Sequence, residues 1–281
     1  MTDQVAIIGA GGKMGTRVVQ TLLKEQYALL LAETGEAGIA RLKEKGLAIT
    51  PGEDAAARAD LIVLAVPDAL IGPVSRQLVP HARAGATVIT LDPAAASVGE
   101  LAIRPDVSFV VSHPCHPPMF FEQPTAEARR DFFGGIAATQ DIVVALAQGP
   151  EAAYERALAL LIKIFAPVRK AHRITVHQMA VLEPAMAEVV AASAACLMKD
   201  AMEEAVRAGV PREAAEAFML GHAQIAMAIA FGAIGSPFSD AAKVAIRWGT
   251  RECFRADWRK VFQPEMIRAV IREMLHPKGT P

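Results

Sequence analysis

Val5-Ala-Ile-Ile-Gly-Ala-Gly-Gly-Lys-Met-Gly15 is the stretch that decides how this chain is read. Four apolar residues, Val5 to Ile8, predict a buried strand. They run straight into Gly9, Gly11, Gly12 and Gly15, and then into an amphipathic stretch, Thr16 to Lys24. Strand, glycine turn and helix, in that order, are what a dinucleotide site requires. Gly9 permits the tight turn. Gly11 or Gly12 lets the backbone approach a pyrophosphate with no Cβ in the way, and Gly15 lets the helix pack close on the strand. The diphosphate then meets the free N–H groups and positive dipole end of that helix. The plain alternative is a glycine-rich turn that binds nothing.

Glu33 ends the next apolar run, Tyr27 to Ala32, 18 residues after Gly15. A carboxylate there can accept hydrogen bonds from both ribose hydroxyls and repels a 2′-phosphate, which favours NAD over NADP. No Arg or Lys follows Glu33 before Arg41, in agreement.

Beyond this unit, apolar runs alternate with amphipathic ones. Leu61 to Val66, Thr87 to Leu91, Ser108 to Val111 and Asp141 to Ala147 read as strands, and Ala37 to Lys45 and Asp68 to Val79 as helices. Such alternation predicts an α/β Rossmann domain with a doubly wound, mainly parallel sheet. Ligands bind outside the carboxyl ends of those strands. Gly9, Glu33, Asp68, Asp92 and His113 all fall there. Asp68 suits either a cofactor contact or a helix N-cap, and Asp92, before Pro93, a turn.

Around Gly149-Pro150 the alternation stops, and helical patterns follow to Leu275. The expected division is a nucleotide-binding domain over 1–149 and an all-α C-terminal domain over 150–281. Its helices are apolar on more than one face, which predicts burial against a second copy, a homodimer.

Composition narrows the partners. The 281 residues suffice for two domains, and with 53% hydrophobic but only 5% aromatic residues, aliphatic side chains carry the packing. A net charge of −1 gives no electrostatic case for nucleic acid or an anionic membrane. Cys115, Cys196 and Cys253 are odd in number and far apart, as expected of reduced thiols in a cytoplasm. No signal-peptide pattern opens the chain. Glu183, Pro184 and Glu188 interrupt its most apolar stretch, which argues for a buried helix and against a membrane span.

Two segments carry chemistry. In Ser112-His113-Pro114-Cys115-His116-Pro117-Pro118, the prolines rule out helix and imply a stiff, extended loop. Imidazole and thiolate suit a divalent transition metal such as zinc, and a site with few protein ligands and open positions fits best. Ordinary hydrogen-bonded histidines are the alternative. In Leu182-Glu183-Pro184 the proline predicts a break in a long helix, with a carboxylate among apolar neighbours. Such a carboxylate must be protonated, paired or on a metal. Salt-bridged to an Arg or Lys, Glu183 is structural; across an interdomain cleft it joins His113 on a metal. His177 and Gln178 could line the same cleft, and Lys243 is either a substrate cation or a surface lysine.

Taken together, Gly9-Ala-Gly-Gly-Lys-Met-Gly15, Glu33, Val66-Pro67-Asp68, His113-Pro114-Cys115-His116-Pro117 and Leu182-Glu183-Pro184 resemble the D-apionate oxidoisomerase family over most of the chain. The N-terminal part is generic, shared with relatives of 6-phosphogluconate and prephenate dehydrogenases. The His113 loop and Glu183 are the specific part. The resemblance implies NAD contacts at Gly12, Lys13, Met14, Glu33 and Asp68, and a divalent metal, zinc, held by His113 and Glu183. It also implies conversion of the branched sugar acid D-apionate to 3-oxo-isoapionate. Oxidation of an alcohol by NAD, with a metal polarising the resulting ketone for a carbon shift, is compatible with these residues. Glu188, Lys243 and His116 are candidates for the general base. The competing expectations are an NAD-dependent hydroxy-acid dehydrogenase without rearrangement and a non-enzymatic NAD-sensing regulator.

Overall fold

The structure, a computed structural model, describes residues 3–277. One sheet organises the larger part of it. Its strands are β1 (Gln4–Ile8), β2 (Ala28–Ala32), β3 (Leu61–Leu64), β4 (Thr87–Thr90), β5 (Ser108–Pro114), β6 (Gln140–Gln148) and β7 (Val168–Arg173), in the spatial order β2-β1-β3-β4-β5-β6-β7. The helices between them are α1 (Lys13–Leu22), α2 (Glu36–Glu44), α3 (Gly52–Arg58), α4 (Asp68–Leu78), the short α5 (Ala94–Ser97) and α6 (Glu151–Ile164).

Strand side chains alternate between faces, and both faces here are covered. Val5 and Ile7 of β1 pack with Val18, Val19 and Leu22 of α1 and with Leu160 and Leu161 of α6. Ala6 and Ile8 pack on the other side with Ala55 and Ala56 of α3 and Ile71 and Leu78 of α4. That two-sided burial is why the strands read as continuous apolar runs. The chain leaves β1 to one side for β2 and returns to the other for β3, so the switch point lies at the carboxyl end of β1, where such sheets bind ligands.

The sheet is mainly parallel, as expected, with one antiparallel pair: β6 runs antiparallel to β5. A parallel return needs a crossover helix, and the 115–139 connection holds only the 3-10 turn Ala128–Arg130. Two expectations need correction. First, the residues after 150 are not all helical. β7 pairs parallel with β6 behind α6; its sequence, Val-Arg-Lys-Ala-His-Arg, lacks an apolar run because it is a charged edge strand. Last, the compact units divide not at 149 but at Val181/Leu182, and 268–277 belong with the sheet unit. Ile271 and Leu275 of α11 (Pro264–Leu275) are buried there.

The second unit, 182–267, is helical. The helix that begins as α7 (Val176–Ala180) continues through Val181–Ala192 as a π-helix and on through α8 (Ser193–Arg207). The expected break at Leu182-Glu183-Pro184 is therefore a change of register. Pro184 has no N–H to bond back four residues, and the wider turn keeps the chain helical past it. α9 (Arg212–Ala230) and α10 (Asp240–Cys253) follow. α8 and α10 bury no residue, and α9 buries only Ala215 and Ala228. Phe218, Leu220, Phe231 and Trp248 stand open.

Candidate active site

The glycine turn is built by close approaches. Gly9 has φ +81°, and a Cβ there would meet the Ala65 carbonyl oxygen at 2.7 Å. A Cβ on Gly15 would lie 2.0 Å from the Gly9 oxygen, and one on Gly11 only 2.4 Å from the Gly38 oxygen. Gly12 is different: its nearest neighbour would be the Gly9 oxygen at 3.2 Å. Gly11 is thus required by packing on α2, and Gly12 is the glycine with room beside it. α1 begins at Lys13, earlier than its amphipathic pattern suggests, with Gly12 as N-cap and no side-chain cap. Its first amide groups are left to a ligand.

Gly9, Gly12 and Glu33 line a cleft of about 750 Å³ together with Val66, Pro67 and Leu70. Glu33 follows β2, and backbone amides hold its carboxylate. Gly11 N–H donates to Oε2 at 2.8 Å, and Thr34 and Gly35 N–H donate to Oε1 at 2.9 and 2.8 Å. Arg41 reaches the other side of the turn, where Nε and Nη2 donate to the Gly11 oxygen at 2.9 and 2.6 Å. Asp68 is the first residue of α4 and exposed; the N-cap is Pro67, with no side-chain bond, so the capping reading of Asp68 fails.

His113 lies in β5, not in a loop. Its Nδ1 is 2.8 Å from the Pro114 oxygen. A carbonyl only accepts, so Nδ1 carries the hydrogen and Nε2 keeps its lone pair. Burial, aided by the neighbouring His116, pushes the His113 imidazole down to about 4, against the raising effect of the Pro114 bond. Near neutral pH the ring is therefore neutral. Glu183, half-buried, sits in the first turn of the π-helix, two residues past the end of the sheet unit on an unbroken helix. Asp92, His113 and Glu183 each offer a ligand atom, and these atoms all lie within 4.8 Å of one another. Asp92 does make a turn, its Oδ1 accepting from Ala94 N–H at 2.7 Å. The sequence pattern does not reveal its place beside His113. The clue it held was position alone, at the carboxyl end of the strand next to β5.

Comparison with known proteins decides the family. A curated D-apionate oxidoisomerase of Cupriavidus necator is 46% identical over 275 residues, covering 98% of this chain and all of that one. Another from Blautia hydrogenotrophica is 44% identical over 277 residues, 97% of this chain and 96% of its own. The chain belongs to the D-apionate oxidoisomerase family. Residues 4–93 match the family model for NADP oxidoreductase, coenzyme F420-dependent, and 121–275 the model for the C-terminal part of decarboxylating phosphogluconate dehydrogenase. A crystal structure described as a semialdehyde dehydrogenase NAD-binding protein from Cupriavidus necator, in complex with calcium and NAD, superimposes with a TM-score of 0.94. It shares 45% identity, over 98% of this chain and 100% of that one. The chain is an NAD-dependent oxidoreductase.

His116, at φ +60°, points Nδ1 at the Phe133 oxygen 2.9 Å away. Lys13 stands 4.9 Å over the Phe133 ring, and Met14 lines a small void with Arg17 and His116. Lys243 is exposed and paired with Asp240 at 3.0 Å, a surface lysine in this chain. Glu188 is exposed. Gln178 closes a capping box with Thr175, and His177 lies in a shallow groove beside Leu101. Cys115 and His116 are not among the clustered metal-type donors.

Proposed function

We propose that this oxidoreductase acts on the branched sugar acid D-apionate, oxidising an alcohol and shifting a carbon group to give 3-oxo-isoapionate, at a divalent metal held by His113 and Glu183. The observation that carries the reading is the grouping of His113, Glu183 and Asp92, with donor atoms within 4.8 Å. The residues fit a metal: a neutral imidazole with its Nδ1–H already spent on Pro114, and carboxylate oxygens beside it. The C. necator structure with calcium and NAD supports a cation in a protein of this fold. One nitrogen among oxygen donors suits zinc better than calcium, which takes oxygens.

A divalent metal held by His113 and Glu183 would supply Lewis-acid polarisation of a substrate carbonyl. NAD supplies the redox step. The chain's own residues bind and align. Gly9, Gly11, Gly12 and Gly15 shape the turn, and the Lys13 and Met14 amides at the start of α1 face the diphosphate. Glu33 meets the ribose hydroxyls and excludes a 2′-phosphate. Asp68, just past the Val66-Pro67 wall of the cleft, borders the cofactor. His116, a candidate base, lies 6.0 Å from His113, ring centre to ring centre.

The helical unit works as half of a homodimer. It buries few large apolar side chains by itself, while Phe218, Leu220, Ile225, Phe231 and Trp248 lie open. Val176–Arg207 is long and apolar enough by length and composition to cross a membrane, with 11% of its apolar 18-residue window buried. Glu183, Glu188, Lys199, Asp200, Glu203 and Glu204 along it favour a second copy over lipid. We place the enzyme in the cytoplasm, acting on a small molecule.

The test is NAD reduction with D-apionate, with and without chelator, and NMR of the product. A rearranged carbon skeleton and loss of rate with chelator are expected. An oxo acid with an unmoved skeleton would leave a plain dehydrogenase.

A further inference from the structure

We infer that Asp92 is a third ligand of the divalent metal, which rests on the metal reading of His113 and Glu183. β4 and β5 are parallel neighbours with Thr90 opposite Val111. The same register carried two residues further sets Asp92 beside His113. Both strand ends are pinned. Thr90 Oγ1 donates to the Asp92 oxygen at 3.0 Å, and Ser112 Oγ to the Thr90 oxygen at 3.2 Å. The Asp92 side chain is held too, since Oδ1 accepts from Ala94 N–H. A carboxylate has lone pairs enough to keep that bond and ligate as well.

Asp92 is 7% exposed, among the few buried charged residues of the described part of the chain. A second carboxylate, Glu183, has a donor oxygen within 4.8 Å of the Asp92 donor. Two carboxylate oxygens beside one imidazole nitrogen are a donor set for a divalent cation, and Asp92 with Glu183 would balance its two charges. One nitrogen and two oxygens then hold the metal on one side, leaving positions for two substrate oxygens on the other. The Asp92–Pro93 turn is accordingly more than a way to start α5. It aims a ligand.

Asp92→Asn separates ligand from turn. The amide oxygen can still accept from Ala94, but the charge and the ligating oxygen are lost. The measurement is calorimetric titration of chelator-stripped enzyme with zinc chloride, for wild type, D92N, H113A and E183A, with NAD titrated into each and the melting temperature recorded. Wild type should bind one zinc. D92N should bind it about 10- to 100-fold more weakly, with NAD affinity and melting temperature unchanged. D92N binding zinc as tightly as wild type, while H113A and E183A lose it, would overturn the role of Asp92 and leave the two-residue site standing. Wild type binding no zinc would overturn the metal reading and the Asp92 ligand with it. If D92N lowers the melting temperature, Asp92→Ser, whose hydroxyl can accept from Ala94, carries the same test.

Discussion

The Glu33 carboxylate accepts a hydrogen bond from the backbone amide of Gly11, 2.8 Å away. One side chain therefore lines the cleft and also braces the glycine turn. A charge-assisted bond of this kind contributes about 1.5–3 kcal/mol. Glu33→Ala should weaken NAD by about 10- to 100-fold, at 1.4 kcal/mol per tenfold, and relax discrimination against NADP. Titration with both cofactors checks this; an undiminished preference for NAD would contradict the role given to Glu33.

The glycines separate by what surrounds them. Gly15→Ala places a methyl 2.0 Å from the Gly9 oxygen, a backbone atom that cannot swing away. Overpacking of this kind costs about 1–3 kcal/mol or more. A fall in melting temperature of several degrees is expected. Gly12→Ala meets its nearest atom at 3.2 Å, so it should change the melting temperature less and NAD affinity more. Equal thermal shifts in the two variants would contradict the distinction.

Asp141 in β6 accepts from Arg169 at 2.8 and 3.0 Å and lies 2.8 Å from His172 Nε2. The Arg169 bonds, with His172, hold its carboxyl down to about 2 against the opposing effect of burial. Its folded pKa is below its unfolded value, about 3.9. The stability it contributes is complete above that value and lost as pH falls toward 2. Between pH 5 and 2 the melting temperature should drop more steeply for wild type than for Asp141→Asn. Parallel curves would show that the bridge contributes nothing there.

The open apolar side chains of the helical unit predict a mass of twice 29.8 kDa in light scattering. A single species of monomer mass would refute the homodimer.

The sheet was legible because its central strands are buried on both faces and so are apolar without interruption, as in Leu61–Leu64. The glycine turn was legible because Gly9, Gly11 and Gly15 each occupy a place where a Cβ collides. β7 was not legible, since an edge strand of Arg, Lys and His carries no burial pattern. Nor was the antiparallel return of β6, fixed by the lack of a crossover helix over 115–139. His113 and Glu183 stood out by chemical type and by their prolines. Asp92 did not, because its local sequence reads as a turn, and its place beside His113 follows only from the register of β4 on β5.

Turnover of His113→Ala and Glu183→Ala tests the central claim most directly, measured as NADH formed from D-apionate with NAD binding followed in the same samples. Both variants should bind NAD as the wild type does and form no NADH. Wild-type rates in either one would remove that residue from the site and, with it, the metal-centred chemistry.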